Sequence, residues 1–295
     1  MDQDVIIIGG SYAGMAAALQ LARARRRVTI VDAGRRRNRT ANHSHGFLSR
    51  DGAGAAEIAL EARRQLEAYQ TISILTGNAT AVSGERDRFV VECADGAHHT
   101  GRRVILATGV RDHLPAIDGM VERWGRSIFH CPYCHGYELN RGRIGVIGSG
   151  AMSTHQAELL TEWGAVTFLP NDALTLDAET CDRLVQRGVN IETAGISRIA
   201  GQADVELTDG RKLSFSGLFV APRVEPASDL PVALGCALQE TPMGTQIKTD
   251  VSKETSIPGV FACGDVALAP HSVSLAVADG AMAGAQVHRS LVWPG

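Results

Sequence analysis

Twice in this chain a short β-branched apolar run meets glycine and passes straight into helical spacing. Asp4 to Ile8 leads into Gly9-Gly10-Ser11-Tyr12-Ala13-Gly14. Tyr12 to Arg25 then carries Met15, Ala18, Leu19, Leu21 and Ala22 at helical spacing, and Val28 to Val31 resumes as strand. Ile144 to Ile147, the turn Gly148-Ser149-Gly150-Ala151-Met152-Ser153, a helix over Met152 to Trp163 and a strand over Val166 to Leu169 repeat the order. The separation of about 140 residues is an internal duplication and not a short-period solenoid. The pattern predicts an α/β protein with two Rossmann-like, three-layer nucleotide-binding domains.

Elsewhere the signals are plainer. Ser73 to Cys93 alternates as sheet with a turn inside it, and Arg103 to Ala107 reads as a buried strand. Leu114 to Gly119 has the look of a crossover linker. Val205 to Leu207, Leu213 to Phe215 and Leu218 to Ala221 read as strands, Pro222 to Pro231 as loop, and Pro242-Met243-Gly244 as a turn. Val273 to Leu291 is rich in Ala and Val at helical spacing. With 295 residues the chain can bury two cores. A net charge of -3 gives no bulk reason for nucleic acid or anionic membrane as a partner. No run reaches the ~18 apolar residues of a membrane span. Met1-Asp2-Gln3-Asp4 followed by Val5 lacks a basic secretion leader, so the expected location is cytoplasmic.

Between the two units lies Cys131-Pro132-Tyr133-Cys134-His135-Gly136-Tyr137-Glu138. The other cysteines, at positions 93, 181, 236 and 263, are scattered, which argues against a disulfide framework and for small apolar fillers. Two sulfurs separated by two residues can reach bonding distance, so the pair suits thiol–disulfide chemistry. Zinc would need two further ligands, and no second pair exists. Cys-x-x-Cys-His is also the attachment pattern of c-type haem, which requires export. Two inert buried cysteines are the remaining reading. His135 and His130 flank the pair and can move protons near neutral pH. His43-Ser44-His45 offers too few ligands for a metal, so no metal is expected. Arg23 to Arg27 reads as a solvated helix end, while Arg35 to Arg39 follows a strand and could touch a phosphate.

The first glycine turn offers backbone N–H groups and a positive helix end to a pyrophosphate. Ser11 stands where the middle glycine is usual, and Asp32 ends the next strand, where an acid can accept ribose hydroxyls. Ile105-Leu106-Ala107-Thr108-Gly109 and Val260-Phe261-Ala262-Cys263-Gly264-Asp265 both end apolar strands in small residues or Gly-Asp. With these segments the chain resembles, over essentially its full length, the low-molecular-weight thioredoxin reductase family of flavoproteins. The resemblance implies a homodimer that binds FAD, with the second domain inserted in the first. The expected FAD-binding domain covers residues 1–113 and 239–295, and a pyridine-nucleotide-like domain carrying the dithiol covers 114–238. It places FAD on Gly9, Ser11, Ala13, Gly14, Asp32, Thr108, Gly109, Gly264 and Asp265. It adds Ser274 and Leu275 beside the flavin ring, Val82 at the adenine, and His45 as a flavin contact. Cys134 would be the flavin-facing charge-transfer thiolate and Cys131 the sulfur that meets the outside thiol. His135 occupies the place of the family's aspartate, the proton donor or acceptor.

One part of the family pattern is missing. NADPH-using members end the strand after the second glycine turn with His-Arg-Arg, which pairs with the 2′-phosphate. Here the stretch is Leu169-Pro170-Asn171-Asp172, with no arginine. NAD(P)H is therefore not expected in that mode, although Asp172 could accept the ribose hydroxyls of NADH. The Cys-Pro-aromatic-Cys-His-Gly motif resembles that of the gliotoxin- and holomycin-type branch, FAD-dependent dithiol oxidases of natural-product pathways. The expected activity is oxidation of a small-molecule dithiol, through Cys131–Cys134 and FAD, with oxygen as acceptor. Two alternatives stand beside it. One is an NAD(P)H-dependent reductase of a thioredoxin-like protein; the other is a flavin redox sensor with little turnover.

Overall fold

β1 (Gln3–Ile8) feeds α1 (Tyr12–Arg23), which returns into β2 (Val28–Asp32), parallel to β1 with Val5 opposite Val28 and Ile8 opposite Val31. The computed structural model describes residues 3–293. Met1 and Asp2, part of the start examined above for a secretion leader, and Pro294 and Gly295, which close the expected FAD-binding domain, lie outside the described residues. The chain continues through α2 (Ala55–Glu67), β3 (Ile72–Thr76), β4 (Ala79–Glu85), β5 (Arg88–Cys93), β6 (His98–Leu106) and β7 (Val110–His113). Next come α3 (Met120–Arg123), β8 (Ile128–Phe129), α4 (Pro132–His135), β9 (Arg143–Ile147), α5 (Met152–Leu160) and β10 (Ala165–Leu169). α6 (Ala178–Gln186), β11 (Asn190–Ile191), β12 (Ile196–Ala200), β13 (Asp204–Leu207), β14 (Lys212–Ser214) and β15 (Gly217–Val220) follow. The last stretch holds β16 (Arg223–Pro226), α7 (Leu230–Ala233), β17 (Leu238–Thr241), β18 (Gly244–Ile247), β19 (Val260–Ala262) and α8 (Val273–Val292).

The chain divides into two units. The first is made of residues 1–39, 47–111 and 224–295, and the second of 40–46 and 112–223, so the second interrupts the first in sequence. In the first unit a seven-stranded sheet runs β3-β2-β1-β6-β5-β4, with β19 also on β6. β1, β2, β3, β6 and β19 are parallel, and β4-β5-β6 is antiparallel. One face is covered by α1, α2 and α8 around Ile7, Leu21, Ile30, Leu66, Ile105 and Val287, all 1% exposed or less. Each such aliphatic side chain stabilises the fold by about 1.5–3 kcal/mol relative to exposure. The opposite face buries Ile6, Phe89, Val104, Val260 and Ile247. α8 lies against α1 because Gly280 is bare: a Cβ there would stand 2.7 Å from the Ala13 Cα.

The second unit is built on a parallel five-stranded sheet, β11-β10-β9-β15-β8. A core around Met120, Ile128, Leu169 and Leu218 lies within it, and another around Ile144, Leu160, Phe168 and Phe219. An antiparallel trio, β12-β13-β14, completes it. This is the α/β, doubly Rossmann-like architecture that the two glycine turns predict.

Local details differ from the sequence reading. The segment Pro222 to Pro231 is not loop throughout, since it holds β16 and the start of α7. Pro226 ends the strand and Pro231 sits in the first turn of the helix, positions where proline costs no hydrogen bond. The second dinucleotide helix stops at Leu160, three residues before Trp163.

Candidate active site

The first glycine turn is fixed by close approach. Gly9 has φ +104, and a Cβ on Gly14 would overlap the Gly9 carbonyl oxygen and lie 3.3 Å from the Ile7 Cγ2. Gly10 N–H donates to the Asp32 carboxylate at 3.1 Å, which ties the turn to the end of β2. Ser11 is the N-cap of α1, yet its side chain makes no capping bond, so the first-turn amides are left for another acceptor. The Thr108 Oγ1, just beyond β6, is buried with no hydrogen-bond partner among the described residues. A Cβ on Gly9 would stand 3.2 Å from the Thr108 amide, so this orphaned hydroxyl belongs to the same corner as the turn. An uncapped helix start and an unpartnered buried hydroxyl fit a bound dinucleotide such as FAD.

Other expected FAD residues fall at the ends of nearby elements. Gly264, at φ +75, opens a short 3-10 turn beside Ala13, with Asp265 next to it. Ser274 and Leu275 occupy the first turn of α8, where the Leu275 N–H donates to the Ser272 cap at 3.1 Å. Gly109 follows Thr108 at φ +69, and its carbonyl accepts from Ala227 N–H at 3.0 Å. Val82 lies on β4, packed on the Phe89–Val104 core. His45 belongs to the second unit, against Glu138.

The structure also brings in residues that the sequence reading did not single out. Arg37, inside the basic run 35–39, pairs with Asp265 at 3.0 Å and meets the His271 Nδ1 at 2.8 Å. Asp279 on α8 accepts the Gly264 N–H at 2.9 Å and pairs with Lys253 at 2.9 Å, with 9% and 11% of the two side chains exposed. An acid in the otherwise uncharged stretch Val273 to Val287 was the available signal for Asp279. Burial, and secondarily Asp279, push the Cys263 thiol up to about 12, so this cysteine is an inert filler. Burial pushes the Cys93 and Cys236 thiols up as well.

In the second unit, α4 sets the dithiol. Cys131 is its extended N-cap, Pro132 starts the helix without needing an N–H, and Cys134 follows one turn later. The two sulfurs therefore share a face: they form a disulfide with Cα atoms 5.3 Å apart. Gly136 is required here for space, since a Cβ would come within 2.7 Å of the Trp163 ring. Trp163 in turn meets Tyr133 edge-on, centroids 5.3 Å apart, and Tyr133 and Tyr137 are 72% and 84% exposed. The His130 carbonyl accepts from the buried Gln156 side chain at 2.8 Å, and its ring lies 6.1 Å from that of Trp124. His135 stacks on Phe129, centroids 4.1 Å apart. Burial, and secondarily His45, pull the His135 imidazole down to about 4 from its ordinary 6.5. His135 is thus neutral at pH 7, which its position in the motif did not reveal.

In the second glycine turn α5, like α1, has no side-chain cap, but an amide ahead of the helix is taken within the protein. Ser149 N–H donates to Ser153 Oγ at 2.9 Å, and Ser149 Oγ to the Ala221 carbonyl at 2.7 Å. After β10, Asn171 and Asp172 turn with φ +50 and +55, and the Asn171 carboxamide oxygen accepts from Ile196 N–H at 2.9 Å. The place of the family's arginines is therefore taken by a structural turn. Among the described residues, no group of three His, Cys, Asp or Glu side chains is placed to hold a metal.

A fold of two Rossmann-like units, with an uncapped glycine turn in one and a Cys-x-x-Cys disulfide in the other, defines a dinucleotide-dependent thiol–disulfide oxidoreductase. The chain belongs to the pyridine nucleotide-disulphide oxidoreductase family, whose pattern matches residues 3–280, and family membership implies flavin binding. It is 34% identical over 307 residues to a thioredoxin reductase, sirT, of Leptosphaeria maculans, covering 97% of this chain and 93% of that one. The crystal structure of an oxidoreductase from Agrobacterium tumefaciens superposes with a TM-score of 0.97, at 53% identity over the whole of both chains. That of HlmI superposes with a TM-score of 0.91 at 37% identity, covering 99% of this chain and 93% of HlmI.

Proposed function

We propose that this enzyme oxidises a small-molecule dithiol to a disulfide through the Cys131–Cys134 pair, with oxygen as the terminal acceptor. The observation that carries the reading is the strand after the second glycine turn, which ends in the turn Asn171-Asp172 instead of arginines, with the Asn171 carboxamide bonded to Ile196. A reductase needs that site for its electron donor; an oxidase does not.

A substrate thiolate attacks Cys131 Sγ, the Cys131–Cys134 bond breaks, and Cys134 leaves as thiolate. The second substrate thiol, once deprotonated, attacks the substrate sulfur of the mixed disulfide. Substrate disulfide is released, and Cys131 leaves as thiolate. Two electrons now sit on the cysteine pair, and two protons have left the substrate. FAD, when bound, would supply the two-electron chemistry that lets the dithiol re-close with oxygen as the final acceptor. Gly9, Ser11, Ala13, Gly14 and Asp32 would hold its pyrophosphate and ribose end, and Thr108, Gly109, Gly264, Asp265, Ser274 and Leu275 the remainder, with Val82 towards the adenine. His130 and His135 bracket the pair; His135, held neutral, keeps positive charge away from the disulfide. The same reading takes the protein as cytoplasmic and, on the strength of the family resemblance, as a homodimer. No helix among the described residues is long and apolar enough to cross a membrane.

The name of the Leptosphaeria relative favours a second reading, reduction of a thioredoxin-like protein by a nicotinamide donor. Oxygen-electrode turnover separates the two. The oxidase consumes oxygen with dithiothreitol alone and returns about half of it when catalase is added, as expected for two-electron reduction to peroxide. Oxygen uptake that requires NADPH, or none with any dithiol, would overturn the oxidase reading.

A further inference from the structure

The proton released by the substrate thiol needs an acceptor, and the motif histidine is poorly suited to that task. His135 is stacked on Phe129 and held neutral by burial, so it does not keep a proton at neutral pH. A second imidazole, His45, comes from a different segment of the same unit. The strap of residues 40–46 packs with the second unit, anchored where the Thr40 side chain fills the space in front of Gly125. Its His45 places Nδ1 3.4 Å from a carboxylate oxygen of Glu138. Glu138 lies in the 3-10 turn Tyr137–Leu139, which directly follows α4 and its two cysteines. Only about a fifth of the His45 side chain is exposed, and it lies close enough to His135 to depress that ring's protonation. Glu138, His135 and His43 face it, the last with ring centroids 6.4 Å apart.

The geometry points to His45 as the base that receives the proton of the incoming thiol, with Glu138 as the positioning residue that holds its imidazole. This rests on the dithiol-oxidase reading and deepens it. The substrate S–H bond breaks, its proton goes to His45 Nε2, and the thiolate electrons form the bond to Cys131 Sγ as Cys134 leaves. The imidazolium pairs with the Glu138 carboxylate until the proton passes to solvent.

The test is stopped-flow bleaching of the flavin in the anaerobic holoenzyme by dithiothreitol, from pH 6.5 to 9.5. A thiol of ordinary pKa, about 8.5, is only about 3% thiolate at pH 7. Losing the base should therefore slow His45→Ala about 30-fold at pH 7, with the rates converging by pH 9.5, where the thiol ionises unaided. Added imidazole should restore much of the rate at pH 7, which a merely structural role would not allow. Glu138→Gln should lose no more than about fivefold at pH 7, the worth of a partly exposed pair. His45→Ala bleaching at the wild-type rate at pH 7, or slowed equally at every pH without imidazole rescue, would overturn the assignment and leave the oxidase reading standing. Wild-type protein that dithiothreitol fails to bleach at any pH would overturn both.

Discussion

Gly14→Ala separates two views of the first glycine turn by the sign of its effect. Position 14 lies inside α1, where alanine in open space would stabilise the helix by about 1 kcal/mol over glycine. Here the added Cβ would overlap the Gly9 carbonyl oxygen and stand 3.1 Å from its carbonyl carbon. Neither neighbour can rotate aside, because Gly9 is backbone at φ +104 and its amide is bonded to Val31. Overpacking of this kind costs about 3 kcal/mol, the upper end of the usual range. The net loss is about 2 kcal/mol, which in a domain of this size lowers Tm by roughly 4–8 °C. Because the turn must widen, FAD should also bind more weakly. Melting followed by circular dichroism, with flavin fluorescence to mark release of the cofactor, reads both effects. A Tm equal to or above wild type, with full flavin occupancy, would show that the turn does not depend on close approach.

Three further outcomes follow from the site. Cys131→Ser and Cys134→Ser should each reduce dithiol-driven oxygen uptake about a thousandfold or more while leaving the flavin bound; a single variant retaining a tenth of the activity would remove the disulfide from the mechanism. Thr108→Val removes a buried hydroxyl that has no partner among the described residues, so FAD should bind about 5–10-fold more weakly by equilibrium dialysis, and an unchanged Kd would place the cofactor elsewhere. His135, with a folded pKa of about 4 against 6.5 unfolded, binds its proton more readily in the unfolded chain. Its penalty is absent well above pH 6.5, grows as pH falls from 6.5 towards 4, and levels off below that at about 3 kcal/mol. Urea midpoints at pH 7 and 4.5 should therefore differ less in His135→Gln than in wild type, and equal differences would contradict the half-buried, neutral ring.

The two β-α-β units were legible because β-branched runs ending in glycine leave little choice of local conformation. β1, α1, β2, β9 and β10 lie where the pattern puts them, within a residue or two. α2 was not singled out, because Gly52-Ala53-Gly54 ahead of it reads as loop and its apolar face is narrow: Ile58, Ala59 and Leu66. Prolines at 222, 226 and 231 hid β16 and α7, since a strand end and a first helical turn accept proline as readily as a loop does. Within the site, spacing identified the two sulfurs and the glycine turn, which are local. The His45–Glu138, Arg37–Asp265 and Lys253–Asp279 pairs join residues remote in sequence, and nothing in the spacing announces them. His135 shows the other limit: its type and place were plain, but its burial against Phe129, which sets its protonation, comes from tertiary packing alone.

The most direct measurement mixes the anaerobic yellow holoenzyme separately with dithiothreitol, NADPH and NADH while recording the flavin absorbance. The dithiol should bleach it within seconds, neither nicotinamide should do so, and admitting air should restore the colour with one peroxide formed per flavin. Prompt bleaching by NADPH alongside indifference to the dithiol would contradict the account.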